Sequence, residues 1–450
     1  MRLFVKDSRF YRSFFSLTGM IALQNVLTFS VNLADNVMLG AYSETALAGS
    51  ALVNQIQFLL QMVVMGVGEG IVVLASQYWG KRETGPICRI QTIGMRIAVG
   101  AALGLWALVF FFPGGCLGLL TDDGAVIAEG TKYLQIVCFS YVFFALTNIL
   151  LSTLRSVETV KISFLVSGST LLINCCLNSL LIFGSLGAPE LGIRGAAVAT
   201  LISRVVEFLI MVLYVGFGDK KLHTRLRDFL HADGALLRDY LHTGLPVILS
   251  NTIWGVAMAI QTGILGHMGQ ATIAANSIAT TVFQIITVVS YAAASASAVI
   301  VGKTIGEGRL DDVKAYSKTL QILYLCIGVA TGLLLFVCKD GILGFYQISD
   351  ETRRLALQFI TVLCVTVVGT SYQVAVLTGI VRGGGGTTFV LINDSVFMWL
   401  IVIPGAALAA FVFHLPPLAV FICLKSDQIL KCFVAVVKVN RGKWIRRLTR

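Results

Sequence analysis

The chain has 450 residues, of which 56% are hydrophobic and 13% charged, with a mean hydropathy of +0.85. That balance excludes an ordinary soluble domain, in which charged residues make up roughly a quarter of the total. The formal charge of +11 would suit a nucleic-acid surface, but the basic residues are spread over alternate loops and form no single stripe, so no nucleic-acid partner is expected.

Crossing the hydrocarbon layer takes ~20 mostly apolar residues in a helix. Windows of that length between charged or Gly/Pro-marked turns give twelve spans, near residues 15–40, 46–79, 90–112, 129–153, 161–184, 193–217, 240–266, 271–301, 316–338, 353–380, 387–411 and 416–438. The expected fold is an all-α integral membrane protein. Of the 34 Lys and Arg, 25 fall on one side: the N-terminal stretch, the loops around 81–89, 155–161, 220–238, 303–318 and 382, and the tail from Lys438. The opposite loops hold only Lys132, Arg194, Lys339, Arg353 and Arg354. The positive-inside rule then places both termini in the cytoplasm of a multi-pass protein of the plasma or inner membrane. The N-terminus shows no small-residue cleavage site, so its apolar run is read as the first helix. The ten cysteines lie almost wholly within spans and lack paired Cys-x-x-Cys spacing; they read as packing residues.

The first span carries Asn25, Thr28, Asn32 and Asp35 at spacings that align them on one helix face. Glu69 lies midway along the second span between Gly68 and Gly70, facing either a cavity or an arginine that the sequence does not single out. In the fifth span Ser167, Thr170, Asn174 and Asn178 form another polar stripe; for Ser167 and Thr170 plain helix-to-helix bonding is the preferred reading. In the sixth, Thr200 follows Gly195, and Arg204 and Glu207 are spaced for a local ion pair.

Asp35, Asn178 and Thr200 each lie five or six residues from a glycine at the same end of their spans, about 8 to 9 Å below that surface. An acid with amide and hydroxyl oxygens at one depth is the inventory of a site for Na⁺ or a proton. No Lys or Arg is obvious in that layer. Asp35, Asn174, Asn178 and Thr200 are therefore the candidate coupling site, with the first three as ligands if the ion is Na⁺.

The second half repeats the first at an offset of 226 to 227: Gly40 meets Gly266, Asn25 meets Asn251, Gly80 meets Gly306 and Arg155 meets Arg382. Six helices per half preserve orientation, so the repeats are parallel. Expected are an N-terminal six-helix bundle (1–218), a charged linker (219–239) and a C-terminal six-helix bundle with a basic tail (240–450), facing a central cavity. The counterpart of Asp35 is the neutral Gln261. Asn251, Trp254, Gln261, Gln284, Tyr372 and Gln373 offer amides and rings for an organic substrate, with Asn25, Asn32 and Glu69 from the first half. Asp394 follows a flexible Gly383–Gly386 run and is expected near it. Lys425, Asp427 and Lys431 in the last span suit a charged face at a bundle seam or near the cytoplasmic end.

With these pieces in order, the chain resembles the multidrug and toxic compound extrusion (MATE) transporters over essentially its whole length. The matching segments include ADNVMLG, SQYWGKRE with AVIVGKTIGEGR, STLRSVETVKI with TGIVRGGGGTTF, and INCCLNSLLIFG followed by LGIRGAAVATLISR. The resemblance implies a monomeric antiporter, not an enzyme, that exports organic, often cationic, compounds for Na⁺ or H⁺ and needs no cofactor. It places the family's first-helix acid on Asp35, its fifth-helix motif on Asn174 and Asn178, and its sixth-helix threonine on Thr200. The acids some members carry in the seventh and tenth helices are absent, with Asn251 at the first of those positions. The rival reading, a flippase for lipid-linked sugars, would require several cavity cations, whereas nearly all Lys and Arg here lie in loops.

Overall fold

The computed structural model describes residues 5–222, 233–344, 348–441 and 443–450, which are nearly all helical. In chain order the helices are α1 (Ser8–Tyr42), α2 (Glu44–Gly80), α3 (Thr84–Phe111), α4 (Pro113–Gly118), α5 (Gly124–Val137), α6 (Ser140–Ser156), α7 (Lys161–Phe183) and α8 (Ile193–Leu213). They continue with α9 (Gly234–Gly266), α10 (Gln270–Gly306), α11 (Leu310–Gly344), α12 (Asp350–Val374), α13 (Thr387–Ser395), α14 (Ile403–Ala407), α15 (Pro417–Lys425) and α16 (Asp427–Asn440). Wider π turns extend several of these, at Tyr214–Gly218, Ala375–Arg382, Val396–Val402 and Leu408–Val412.

Among the described residues, ten helical segments are long and apolar enough to cross a membrane, and the bent pair α5–α6 makes an eleventh. The bend, 55° at Cys138–Phe139, breaks the expected fourth span in two. Asp123 caps the first piece, its Oδ1 accepting from the backbone N–H of Ala125 at 2.9 Å. The twelfth expected span, 416–438, is occupied by α15 and α16, two short helices meeting at Ser426. The eleventh is irregular for a physical reason: Pro404 has no N–H to continue the ladder, and π turns lie on either side of α14.

The chain divides into two compact units. One comprises Leu23–Ala75 and Arg82–Ile248; the other comprises Met1–Ala22, Ser76–Lys81 and Leu249–Arg450. Helices α1 and α2 thus contribute to both. Of the expected linker 219–239, residues 223–232 lie outside the described residues.

In the first unit α7 and α8 form a hairpin whose turn starts at Gly184, in the left-handed region at φ +66°. Close approach requires Gly195: a Cβ there would sit 2.3 Å from the Leu181 carbonyl oxygen. This contact fixes the register that sets the middle of α7 against the middle of α8.

In the second unit α10 and the end of α2 cross backbone to backbone. A Cβ on Gly80 would lie 2.1 Å from the Lys303 carbonyl oxygen, and one on Gly306 would lie 2.0 Å from that of Gln77. The apolar core of this unit is anchored by Phe359 and Phe421, stacked at 4.1 Å and 5°. The Gly383–Gly386 run, expected as a flexible tether, is buried. A Cβ on Gly384 would meet the Trp444 ring at 2.3 Å, so the glycines are there for packing.

Candidate functional site

Asp35 faces α7 from the half of α1 that belongs to the first unit. The Asn178 side-chain amide donates to Asp35 Oδ1 at 2.5 Å and to Asn174 Oδ1 at 3.0 Å. Asn174 and Asn178 are fully buried and Thr200 is 9% exposed. Asn32, Asp35, Asn174 and Thr200 line one small pocket, and Asn178 adjoins it through its bonds to Asp35 and Asn174. Its walls are otherwise polar, with Asn54 and Gln57 from α2, Tyr133 from α5, and Thr170, Ser203 and Arg204.

The three residues expected to share one depth are thus brought together with Asn174, and Asn32 joins them. The register explains this: with Gly195 against Leu181, one further turn along the antiparallel pair sets Asn178 and Asn174 opposite Thr200 and Ser203. Buried oxygen atoms are left over, since Asn178 Oδ1 and Thr200 Oγ1 have no hydrogen-bond partner among the described residues. A half-buried carboxylate beside buried amide and hydroxyl oxygens fits either a proton or a monovalent hard cation.

Two sequence expectations are corrected here. Thr170, read as helix-to-helix bonding, lines the pocket, although its hydroxyl also donates to the Val166 carbonyl at 2.9 Å. Arg204 does form the expected pair with Glu207, at 2.8 Å, but its side chain also reaches the pocket and lies 5.1 Å from the centre of the Phe144 ring. A guanidinium therefore stands in the layer of Asp35, where none was expected, because the i,i+3 spacing to Glu207 accounted for it without a third partner. Tyr133, Asn54 and Gln57 were missed; the Asn54–Gln57 spacing was the available signal, and the bend that aims Tyr133 inward had none.

The other sequence candidates scatter. Glu69 is half-buried and feels the charge of Arg155, assigned to a loop on sequence, which is the arginine left unidentified. Asn25 and Asn251 are half-buried and Gln284 is exposed. Gln261 is buried, with its amide 3.0 Å from the Met398 sulfur. Tyr372 is also buried and donates to Gln321 at 2.8 Å, and Gln373 donates to Gln428 at 2.9 Å. Trp254 lines a pocket beside Asp394 and Lys431. Asp394 lies within α13, its Oδ1 3.1 Å from Lys431 Nζ, and Asp427 Oδ2 is 3.3 Å from the same ammonium. Of the charges expected on one face of the last span, Asp427 and Lys431 thus join Asp394, and Lys425 stands over the Phe283 ring.

The MatE family model matches residues 21–180 and again residues 246–408. The chain belongs to the MatE family. Like other members it is a multi-pass membrane transporter and not an enzyme. It is 24% identical over 97% of its length to an uncharacterized transporter, YisQ, of Bacillus subtilis, covering 95% of that protein. It is also 24% identical to a probable multidrug resistance protein NorM of Thermotoga maritima, with 94% of this chain and 91% of that one aligned. The fold superposes on the eukaryotic MATE transporter AtDTX14 with a TM-score of 0.87 at 17% identity, covering 97% of this chain and 96% of that one. A MATE crystal structure in the bent conformation matches with a TM-score of 0.86 at 16% identity, over 96% and 95% of the two chains. This MatE chain thus has the twelve-helix fold expected from its sequence.

Proposed function

We propose that this MatE protein is a secondary antiporter that exports organic, often cationic, compounds in exchange for Na⁺ or H⁺. The supporting observation is the pocket that joins Asp35 to Asn174, Asn178 and Thr200. It acts as a monomer in the cell membrane with both termini in the cytoplasm, the side that carries most Lys and Arg. Its two six-helix halves alternate access to the two sides.

Asp35 is the group whose charge changes. Ionised, it is held by the Asn178 amide; with a proton or Na⁺ bound, the half-buried negative charge is neutralised and its cost in a low-dielectric setting falls. The ion drives transport only through unequal affinity for the outward-open and inward-open states. Binding from outside favours the state that releases substrate outward, and loss of the ion to the cytoplasm resets the cycle. The spare oxygens of Asn178 and Thr200 are the further ligands that Na⁺ would require.

The name multidrug resistance protein carried by relatives such as that of Thermotoga maritima agrees with an organic substrate. The flippase reading is not favoured: Arg204, the cation that lines the Asp35 pocket, is paired with Glu207, and Lys431 is paired with Asp394 and Asp427.

The test is ethidium export, read as uptake into everted vesicles with an imposed ΔpH or ΔNa⁺. Asp35→Asn should abolish ion-driven efflux while the protein inserts and purifies as the wild type does. Efflux at the wild-type rate from that variant refutes the coupling role.

A further inference from the structure

In the second unit, three charged side chains meet inside the membrane region. Lys431 and Asp427 lie one turn apart on α16, and Asp394 comes from α13. The Lys431 ammonium bridges both acids, at 3.1 Å to Asp394 and 3.3 Å to Asp427. The Lys431 and Asp427 side chains are 4% and 2% exposed, whereas that of Asp394 is 24% exposed. The two carboxylates are therefore not equivalent.

Asp427 is sealed. Gln428 donates to it at 3.2 Å, and the Gln428 side-chain Oε1 in turn accepts from Thr370 at 3.0 Å and Gln373 at 2.9 Å. Asp394 instead is partly exposed and borders a small pocket beside Trp254 and Met398. Its other oxygen accepts from the Ser250 hydroxyl at 3.2 Å, which Arg382 approaches at 3.4 Å. Lys425, two residues before Asp427, is drawn aside over the Phe283 ring at 5.0 Å.

We propose that Asp394 is a second proton-binding site, in which Lys431 is the tethered counter-ion and Asp427 the acid that keeps the ammonium when Asp394 is protonated. The arrangement suits this role because breaking a buried ion pair is costly when it strands a charge. Here, protonation of Asp394 strands nothing, since Lys431 retains Asp427. The partial exposure of the Asp394 side chain, 24%, gives a proton access to it, whereas Asp427 at 2% is closed off. The ligand is a proton and not Na⁺: an ammonium already stands between the two carboxylates, and a metal cation beside it would be repelled. The proposal extends the ion-coupling reading to the second unit and rests on that reading only for what the proton would drive.

The experiment is a pH titration of the protonated-carboxyl infrared band of the purified transporter, over about pH 4 to 10. Spectra of wild type are compared with those of Asp394→Asn, Lys431→Met, Lys431→Arg and Asp35→Asn. The difference between wild type and Asp394→Asn should contain one titrating carboxyl band. In Lys431→Met that band should persist to a proton concentration at least tenfold lower, because its counter-ion is gone, and Lys431→Arg should restore the wild-type midpoint. Absence of a titrating band in the Asp394 difference overturns the proposal, as does an unmoved midpoint in Lys431→Met. The Asp35→Asn difference reads the first site independently, so a missing Asp35 band with the Asp394 band intact counts against the coupling reading alone.

Discussion

The hydrogen bond from Asn178 to Asp35 makes a prediction whose sign depends on the coupling ion. Replacing Asn178 by the near-isosteric leucine removes a donor to an ionised acid, a bond type worth about 1.5 to 3 kcal/mol. That donor stabilises the empty, charged form of Asp35 and so competes with the arriving ion. If the ion is a proton, Asn178→Leu should tighten its binding by roughly 10- to 100-fold, at 1.4 kcal/mol per factor of ten. The half-saturating proton concentration for efflux should then fall by that factor, and maximal efflux should slow because inward release is delayed. If the ion is Na⁺, the same substitution also removes Asn178 Oδ1, a spare buried oxygen, and half-saturation by Na⁺ should rise. Ethidium export, read as uptake into everted vesicles and swept in ΔpH at fixed Na⁺ and in Na⁺ at fixed pH, measures both. Half-saturation unchanged in both sweeps refutes a role for Asn178 beside Asp35.

Further predictions concern the packing and caps that hold these sites. Gly195→Ala should destabilise the α7–α8 hairpin by about 1 to 3 kcal/mol through overpacking, because its Cβ meets the Leu181 carbonyl oxygen at 2.3 Å; thermal unfolding in detergent reads this, and a wild-type midpoint contradicts it. Gly306→Ala should cost a similar amount, since its Cβ would lie 2.0 Å from the Gln77 carbonyl oxygen, whereas Gly263→Ala has nothing within 4 Å and should be near neutral. Asp233 opens α9, accepting from the backbone of Ala235 and Leu236 and pairing with Arg89 at 2.8 Å. These bonds, the one from Leu236 foremost, hold its carboxyl below the usual range. A lowered folded-state value means that the stabilisation is complete above the ordinary carboxylate range, near 4, and is lost as pH falls through the folded-state value. Hydrogen exchange in the first turn of α9 should therefore accelerate on acidification, and Asp233→Ser, an uncharged cap, should remove most of that pH dependence.

Much of the first site was legible because its cause is local. The spacings of Asn25 to Asp35 and of Asn174 to Asn178 follow from 3.6 residues per turn, and the terminal glycines gave a depth scale. What the sequence did not disclose depends on how helices lean on one another. Arg204 was explained by Glu207 alone, so its reach into the Asp35 pocket had no one-dimensional trace. Tyr133 arrives through the 55° bend of α5 against α6. The ion cluster of the second unit was missed for the same reason: Asp427 and Lys431 are neighbours on α16, but Asp394 lies more than thirty residues earlier and reaches them only after the spans pack.

The two halves of the repeat therefore treat a half-buried carboxylate differently. Asp35 is given amides, which stabilise its charge without cancelling it, and spare oxygens that accept a proton or a metal cation. Its sequence counterpart, Gln261, has no charge to couple and is buried against Met398. The acids of the second unit lie elsewhere, on α13 and α16, and come with their own cation in Lys431. A carboxylate held by amides keeps its charge until an ion from outside completes the balance. The second site sets one ammonium between two carboxylates, and a proton on Asp394 removes the charge that remains. If both act, removing Asp35 and removing Asp394 should differ in kind. The first should abolish the response to the ion gradient, and the second should change only its pH profile.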